Sequence, residues 1–341
     1  MHAGKRFTLS QALIWTRREI LLFVLISAVP VVLYEFLDFK NLSIPWLPIA
    51  LVGTAVAFIT GFKNNASYDR LWEARKVWGA IVNTSRSWAI MVLDYVNNDH
   101  ALEKLPDAEL KRIHKRLIYR HIAWLTALRF QLRMPKVWES TNYSKANREF
   151  RDKHFDVPEV KHKLEDDIAL FLSEEDKAYI FSKKNRATHL IRLQSKDLKE
   201  LKQQGFIEDF RHMEMENLLV DLYTQQGKCE RIKNFPYPRQ YTTINTIFIW
   251  IFIVLLPFGM ILEFEKIGEN FVWLTIPFSV IAAWVFHTMD KIGTSTENPF
   301  EGGANDVPIT ALSRTIEIDL REMLDEIDLP APVQPMNDIL S

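Results

Sequence analysis

The chain has 341 residues and a formal net charge of −1, with 42 basic residues against 43 acidic ones. This balance excludes any charge-based argument for nucleic-acid binding, which relies on excess positive charge. The single cysteine, Cys229, excludes an internal disulfide and any metal site built from several cysteines. A mean hydropathy of −0.08 is typical of a soluble protein, but the average conceals a segregation of apolar and polar segments.

Four apolar windows stand out, at residues 20–37, 44–62, 242–262 and 271–289. Each is close to the roughly 20 residues that a helix needs to cross about 30 Å of hydrocarbon. They predict four transmembrane helices in two closely spaced pairs. We expect no cleavable signal peptide, because the chain is mostly polar up to Glu19 and no small-residue cleavage pattern follows the first window.

The basic residues predict the orientation, because they concentrate on the cytoplasmic side of membrane proteins. The short loops 38–43 and 263–270 carry one lysine each, whereas the other flanks are rich in basic residues. We therefore expect both termini and the long middle segment to face the cytoplasm of a bacterial inner membrane. The basic residues at these flanks are Lys5, Arg6, Arg17, Arg18, Lys63, Arg70, Arg75, Lys76, Lys228, Arg231, Lys233, Arg239 and Lys291.

The predicted organisation is all-α: the first transmembrane pair with its N-terminal flank (1–62), a helical cytoplasmic domain (63–240), the second pair (241–289) and a cytoplasmic C-terminal segment (290–341). Helical spacing of apolar residues recurs at 78–96 and 117–132. Helix starts are predicted at Asp107, after Ser173 and near Glu208. Residues 135–160 are mixed and are predicted to form a connector, and Pro236 and Pro238 break the chain before the third span.

The motifs of several enzyme classes are missing. The chain has no glycine-rich phosphate loop, no GxSxG, no HExxH and no Cys/His cluster with metal spacing. Histidines such as His114 and His121 lie among charged residues and are expected to be solvated or to pack between helices. We therefore predict no catalytic residue, no cofactor and no metal site.

The second span carries a stripe at helical spacing, formed by Thr54, Phe58 and Phe62. If it faced an axis shared by several subunits, it would form stacked rings that gate by dewetting. The alternative is that both phenylalanines pack against a neighbouring helix of the same chain.

A dense run of charges and tryptophans follows that span. It predicts a packed polar network just inside the membrane, because unpaired charges are costly to bury. The alternative is an ordinary amphipathic surface helix, which accounts less well for Trp72 and Trp78. The predicted network comprises Asp69, Arg70, Trp72, Glu73 and Arg75.

Two motifs resemble the bestrophin family of ion channels, particularly its bacterial members. They are NNASYDRLWEARKVWG at 64–79 and ENPFEGGANDVP at 297–308. The spacing of the spans and the Phe-Pro-x-Pro before the third also fit, so the resemblance covers nearly the whole chain. It implies a homopentamer with one axial pore.

In that resemblance Thr54, Phe58 and Phe62 form a hydrophobic neck. Thr54 departs from the large apolar residue usual in the family, so its ring would be wider or wetter. A second, cytoplasmic aperture falls on Ile207, Glu208, Asp209 and Phe210. An acidic ring there would attract cations.

Animal members follow Asn-Pro-Phe with a run of acidic residues that chelates Ca²⁺. Here Glu301 is followed by Gly302, Gly303 and Ala304, with Asp306 alone beyond. A Ca²⁺ site needs about six or more oxygen ligands. We therefore predict no such site, and expect Asn298 and Asp306 to cap or to pack.

The sequence thus predicts a passive channel for small monovalent ions with a preference for cations, whose partners are its own copies, membrane lipid and the permeant ions. The main alternative is an anion channel of the same architecture, since animal members conduct chloride while bacterial ones are reported to pass cations. A secondary transporter would carry internal repeats and ionisable residues in mid-span, and neither is found. A membrane-anchored scaffold is the remaining alternative.

Overall fold

The computed structural model describes all 341 residues, and its regular structure is helical. Isolated bridges such as His2 to Ile339 occur near the two ends of the chain, and no strand forms. The predicted all-α class is confirmed. The helices are α1 (Leu9–Trp15), α2 (Arg17–Phe36), α3 (Trp46–Tyr95), α4 (Asp107–Arg133), α5 (Ser140–Tyr143), α6 (Lys145–His154), α7 (Pro158–Lys161), α8 (Leu164–Ile168), α9 (Glu174–Phe181), α10 (Arg186–Gln203), α11 (Asp209–Asn234), α12 (Arg239–Glu265), α13 (Thr275–Thr296) and α14 (Ile309–Glu322).

Four helices are long and apolar enough to cross a membrane, and they coincide with the four predicted windows: α2, the first half of α3, α12 and α13. They pack around a shared apolar core. The opposite faces of α2, α12 and α13 expose large apolar side chains, as expected of a surface that contacts lipid. The core residues are Phe23, Ile49, Val56, Ile249, Phe252, Ile253, Leu256 and Ala283.

The longest helix, α3, runs without a break for 50 residues. Pro48 lies in its first turn, where proline is tolerated, and no proline occurs from residue 49 to 105. At about 1.5 Å per residue the helix is about 75 Å long, more than twice the hydrocarbon thickness of a bilayer. One rigid element therefore belongs to both the membrane bundle and the helical domain outside it.

A close approach of α3 and α12 is possible because residue 53 is glycine. A Cβ atom at Gly53 would lie 2.6 Å from the ring of Phe252. Small residues at such contacts allow transmembrane helices to pack tightly.

The helical domain outside the membrane bundle is built on the second half of α3, which packs with α4, α11 and α14, while α10 packs on α4 and α11. Its core contains three fully buried tryptophans, Trp78, Trp88 and Trp124. His121 packs against Trp88 and Trp124 and hydrogen-bonds Ser85 Oγ at 2.9 Å. Burial lowers the pKa of His121 to about 3, so it is a neutral packing residue.

The predicted helix starts are confirmed. Helix α4 begins at Asp107, Ser173 Oγ accepts the Asp176 N–H at the start of α9, and α11 begins at Asp209. The connector predicted at 135–160 instead contains the short helices α5, α6 and the start of α7. Helix α6 reads KANREFRDKH, which has too few apolar residues for periodicity to reveal it.

Candidate functional site

The stripe predicted on the second span lies on an exposed face of α3. Phe58 and Phe62 are 67% and 58% exposed, and Thr54 is exposed one turn before them. Their rings contact each other edge to face, with centroids 4.6 Å apart. These exposures exclude the alternative in which both phenylalanines pack within the same chain. Gly53, Val56 and Thr60 face the opposite way and are buried.

The hydroxyl group of Thr54 forms a hydrogen bond within α3. Its Oγ1 donates to the carbonyl oxygen of Ala50 at 2.9 Å. Such back-bonding satisfies the hydroxyl donor inside the helix. A threonine at this position is therefore less polar toward its surroundings than its residue type suggests.

A buried ion pair holds α3 at the end of the membrane bundle that adjoins the helical domain. Lys63 Nζ lies 2.7 Å from Asp290 Oδ1, and the two side chains are 2% and 8% exposed. Lys63 also donates to Thr294 Oγ1 at 2.7 Å. Because Lys63 directly follows Phe62, the pair fixes α3 against α13 immediately below the aromatic stripe.

Helix α12 completes this network. Asn245, fully buried, donates to Asp290 Oδ1 at 2.7 Å and accepts from Thr60 Oγ1 at 3.1 Å. Thr246 Oγ1 donates to the other Asp290 oxygen at 3.3 Å. Both charges are thus paired and further hydrogen-bonded, which is the condition for keeping them in a bundle of apolar helices. Sequence reasoning missed this network, although Lys63 and Asp290 each directly follow an apolar window.

The residues of the predicted polar network divide between two sides of α3. Arg70 faces inward and donates to three carbonyl oxygens, those of Glu297, Phe235 and Ile232, at 2.8–2.9 Å. Two of these carbonyls lie at the end of α11, where a cation also complements the helix dipole. Glu73 forms an ion pair with Arg231.

The other three residues of that set are exposed. Asp69, Trp72 and Arg75 point outward, with the Arg75 guanidinium 5.6 Å from the centroid of Trp72. Trp72 also stacks on Tyr68. The exposed face of α3 therefore continues past the membrane span as a mixed aromatic and charged surface.

Three buried carboxyl groups hold the segment after α13 in place through hydrogen bonds and an ion pair. Asp306 Oδ2 accepts the N–H groups of Gly302 and Gly303 at 2.8 and 2.9 Å, so this side chain caps the turn. Glu301 accepts from the Ser140 hydroxyl, and Glu297 pairs with Arg239 at 2.7 Å. Burial, together with the nearby Asp306 carboxyl, raises the pKa of Glu301 well above its usual range; burial also raises the pKa of Asp306.

The residues predicted at the cytoplasmic aperture lie at the start of α11. Ile207 is buried in the core of the domain, whereas Phe210 is 77% exposed. The two acidic residues between them each have a basic neighbour. Glu208 lies 3.6 Å from Arg211, and Asp209 lies 3.0 Å from Lys202.

Comparison with known proteins gives a consistent family assignment. A family model described as bacterial/fungal bestrophin protein matches residues 7–322. The chain is 29% identical to the voltage-dependent anion channel-forming protein YneE of Escherichia coli O157:H7, over 84% of this chain and 80% of that protein. It is 28% identical to the voltage-dependent anion channel-forming protein RSc3414 of Ralstonia nicotianae, over 83% of this chain and 78% of that protein.

The fold has a matching solved structure. A crystal structure of a bacterial bestrophin homolog from Klebsiella pneumoniae superposes with a TM-score of 0.74 at 25% identity. The match covers 92% of this chain and 99% of that one.

Breaking the Lys63–Asp290 pair should destabilise the protein more than removing an exposed pair. Lys63→Met or Asp290→Asn alone leaves a buried charge or donor without its partner, which costs about 3–5 kcal/mol. The double variant should recover much of that loss. The control is Lys266→Met, which removes an exposed pair with Glu263 worth at most about 1 kcal/mol. Detergent-based unfolding free energies measure all four; single variants no worse than the control would contradict the role of the pair.

The raised pKa of Glu301 predicts a loss of stability as the pH rises. The folded state favours the protonated form of Glu301. The stability that this carboxyl group contributes is therefore complete below its unfolded-state pKa and is lost as the pH rises through its folded-state pKa. Glu301→Gln cannot ionise and should flatten the fall of the thermal midpoint above the usual carboxyl range. Glu165→Gln, at an exposed position, is the control. A Glu301→Gln profile parallel to that of the unaltered protein would count against the assignment.

Proposed function

The chain belongs to the bacterial/fungal bestrophin family, and on that premise we propose that it is a passive ion channel rather than an enzyme. Several copies surround an axial pore, and the second span of each copy forms its wall. The observation that carries this proposal is the exposed Thr54, Phe58 and Phe62 face of α3. Two adjacent exposed aromatic rings near the end of the apolar part of α3 suit a constriction shared by several subunits better than the surface of a single subunit in lipid.

The assembly that we propose is a homopentamer in membrane lipid. A single chain cannot enclose a pore with one exposed helix face, so the rings at the neck require copies around an axis. Phe58 and Phe62 form an apolar constriction that excludes water until it widens, and thereby gates. Thr54 adds a ring whose hydroxyl donor is already satisfied within α3.

Below the neck, we assign two roles to the polar residues of α3. Arg70 and Glu73 anchor the helix to α11 and to the segment after α13. Asp69, Trp72 and Arg75 lie on the exposed side and border the ion path as it enters the cytoplasm.

A second constriction is proposed at the start of α11. Phe210 is the exposed residue there, and Ile207 supports it from the core of the domain. Glu208 and Asp209 flank the opening, each beside a basic side chain.

The relatives favour anions as the permeant ions. The proteins with 27–29% identity from enteric bacteria bear the name of an anion channel-forming protein. The cation preference expected from the sequence relied on the acidic residues at the aperture and on the missing Ca²⁺ site, and the names of the relatives do not support it. The acidic side chains at the aperture are paired with Lys202 and Arg211, which reduces their attraction for cations. We therefore propose anion conduction.

The orientation follows from the charges that flank the spans. Basic residues lie at the ends of the spans that adjoin the helical domain, and the connecting hairpins are short. We propose a location in the bacterial inner membrane with both termini in the cytoplasm.

Recording from purified protein in a planar bilayer under a KCl gradient tests the function directly. An anion channel gives a current whose reversal potential moves toward the equilibrium potential of chloride; a shift toward that of potassium would contradict anion conduction. Asp209→Asn leaves Lys202 without its partner and should move the reversal potential further toward that of chloride, whereas Asp99→Asn, at an exposed position outside the predicted aperture, should leave it unchanged. No current from a folded oligomer would contradict the channel itself.

A further inference from the structure

A basic cavity of about 400 Å³ lies in the cytoplasmic domain, away from the α3 face. The end of α4, the segment 159–165 and the residues that begin α10 form its walls. Four cations and two carboxylates line it, and the proposed ion path uses none of them. The charged lining residues are Arg133, Lys163, Lys184, Arg186, Glu159 and Glu165.

The floor of this cavity is a buried arginine with unsatisfied donors. The side chain of Arg133 is 2% exposed, and its Nε and Nη1 atoms have no hydrogen-bond acceptor. The nearest carboxylate oxygens belong to Glu159 at 3.8 Å and Asp306 at 3.6 Å, beyond hydrogen-bond length. A guanidinium has five N–H donors, and buried donors are nearly always satisfied. These two donors of Arg133 therefore have no acceptor within hydrogen-bond distance, and a ligand in the cavity can supply one.

The two carboxylates nearest to Arg133 are already engaged elsewhere. Glu159 Oε1 accepts from Thr310 Oγ1 at 2.7 Å and lies 3.1 Å from Arg129. Asp306 Oδ2 accepts two backbone N–H groups. These bonds hold the two carboxylates 3.6–3.8 Å from the guanidinium, and Glu159 Oε2 and Asp306 Oδ1 accept no hydrogen bond.

The opposite wall of the cavity places basic side chains at the N-terminus of α10, the end of the helix that carries the positive pole of its dipole. Lys183, Lys184 and Arg186 surround the N-terminus of α10, an 18-residue helix with no acidic residue in its first turn. Cations are disfavoured at this end of a helix by its dipole, and an anion is favoured. Arg186 Nε is also buried without an acceptor, and its guanidinium is held 4.8 Å from the centroid of Phe181.

We propose that this cavity binds a phosphate group, either as inorganic phosphate or as a soluble phosphate monoester of the cytoplasm. Lys184 and Arg186 hold it from the α10 side, Arg133 from below, and Lys163 closes the rim. A tetrahedral dianion presents several acceptors to a planar guanidinium, which a spherical chloride ion does not. The proposal does not depend on the protein being a channel.

Binding at Arg133 also bears on the membrane domain. The same guanidinium lies 3.6 Å from Asp306, which caps the turn that follows α13. A phosphate that draws Arg133 into the cavity changes the charge facing that turn. The site is therefore placed to couple the phosphate level of the cytoplasm to the α13 segment.

Titration of the purified full-length protein tests the site. Sodium phosphate should raise the thermal midpoint saturably above sodium chloride of equal ionic strength, and calorimetry should give a matching dissociation constant. Lys184→Gln and Arg186→Gln should each weaken binding about tenfold, the loss expected for one charged hydrogen bond. Lys199→Gln, an exposed residue farther along α10, should bind as the unaltered protein does.

A parallel titration with glycerol phosphate distinguishes the two sources. Tighter binding of glycerol phosphate identifies a monoester as the ligand, and tighter binding of inorganic phosphate identifies the free ion. Two results would overturn the proposal: no saturable difference between phosphate and chloride, or equal phosphate binding by Lys184→Gln, Arg186→Gln and Lys199→Gln. Both variants alter side chains outside the buried core, so folding is checked by their midpoints in chloride.

Discussion

The ion pair between Lys63 and Asp290 is the contact on which the architecture of the membrane domain depends. It lies at the level where α3 leaves the apolar bundle, and it joins α3 to α13 with Asn245 of α12 as a third partner. In apolar surroundings an unpaired charge is costly, so the pair restricts the rotation of α3 about its axis. That restriction keeps Phe58 and Phe62 pointing away from the chain's own core.

The length of α3 extends this constraint beyond the membrane bundle. Because the helix is continuous for 50 residues, the rotation set at Lys63 is carried to Arg70, which is fixed by three carbonyl oxygens. The same carbonyls belong to the end of α11 and to the segment after α13. A change in either segment therefore reaches the aromatic stripe through one rigid element rather than through a chain of loose contacts.

Much of this structure is predictable from the sequence, because apolar length and helical spacing are local signals. The four spans, the starts of α4, α9 and α11, and the shared face of Thr54, Phe58 and Phe62 all come from such patterns. The Lys63–Asp290 pair does not, since its members are more than 200 positions apart and each looks like an ordinary flanking charge. The exposed faces of Asp69 and Arg75, and the burial of Ile207, likewise depend on tertiary packing that no single window encodes.

We propose that the aromatic stripe of α3 forms the narrowest part of the conduction path. Single-channel conductance of Phe58→Ala with Phe62→Ala tests it most directly, with Phe278→Ala as the control because that phenylalanine is exposed on α13 instead. The double variant should conduct more than the unaltered protein, because the apolar rings that exclude water are removed, and the control should not. Unchanged conductance in a double variant of normal oligomeric mass would contradict the claim.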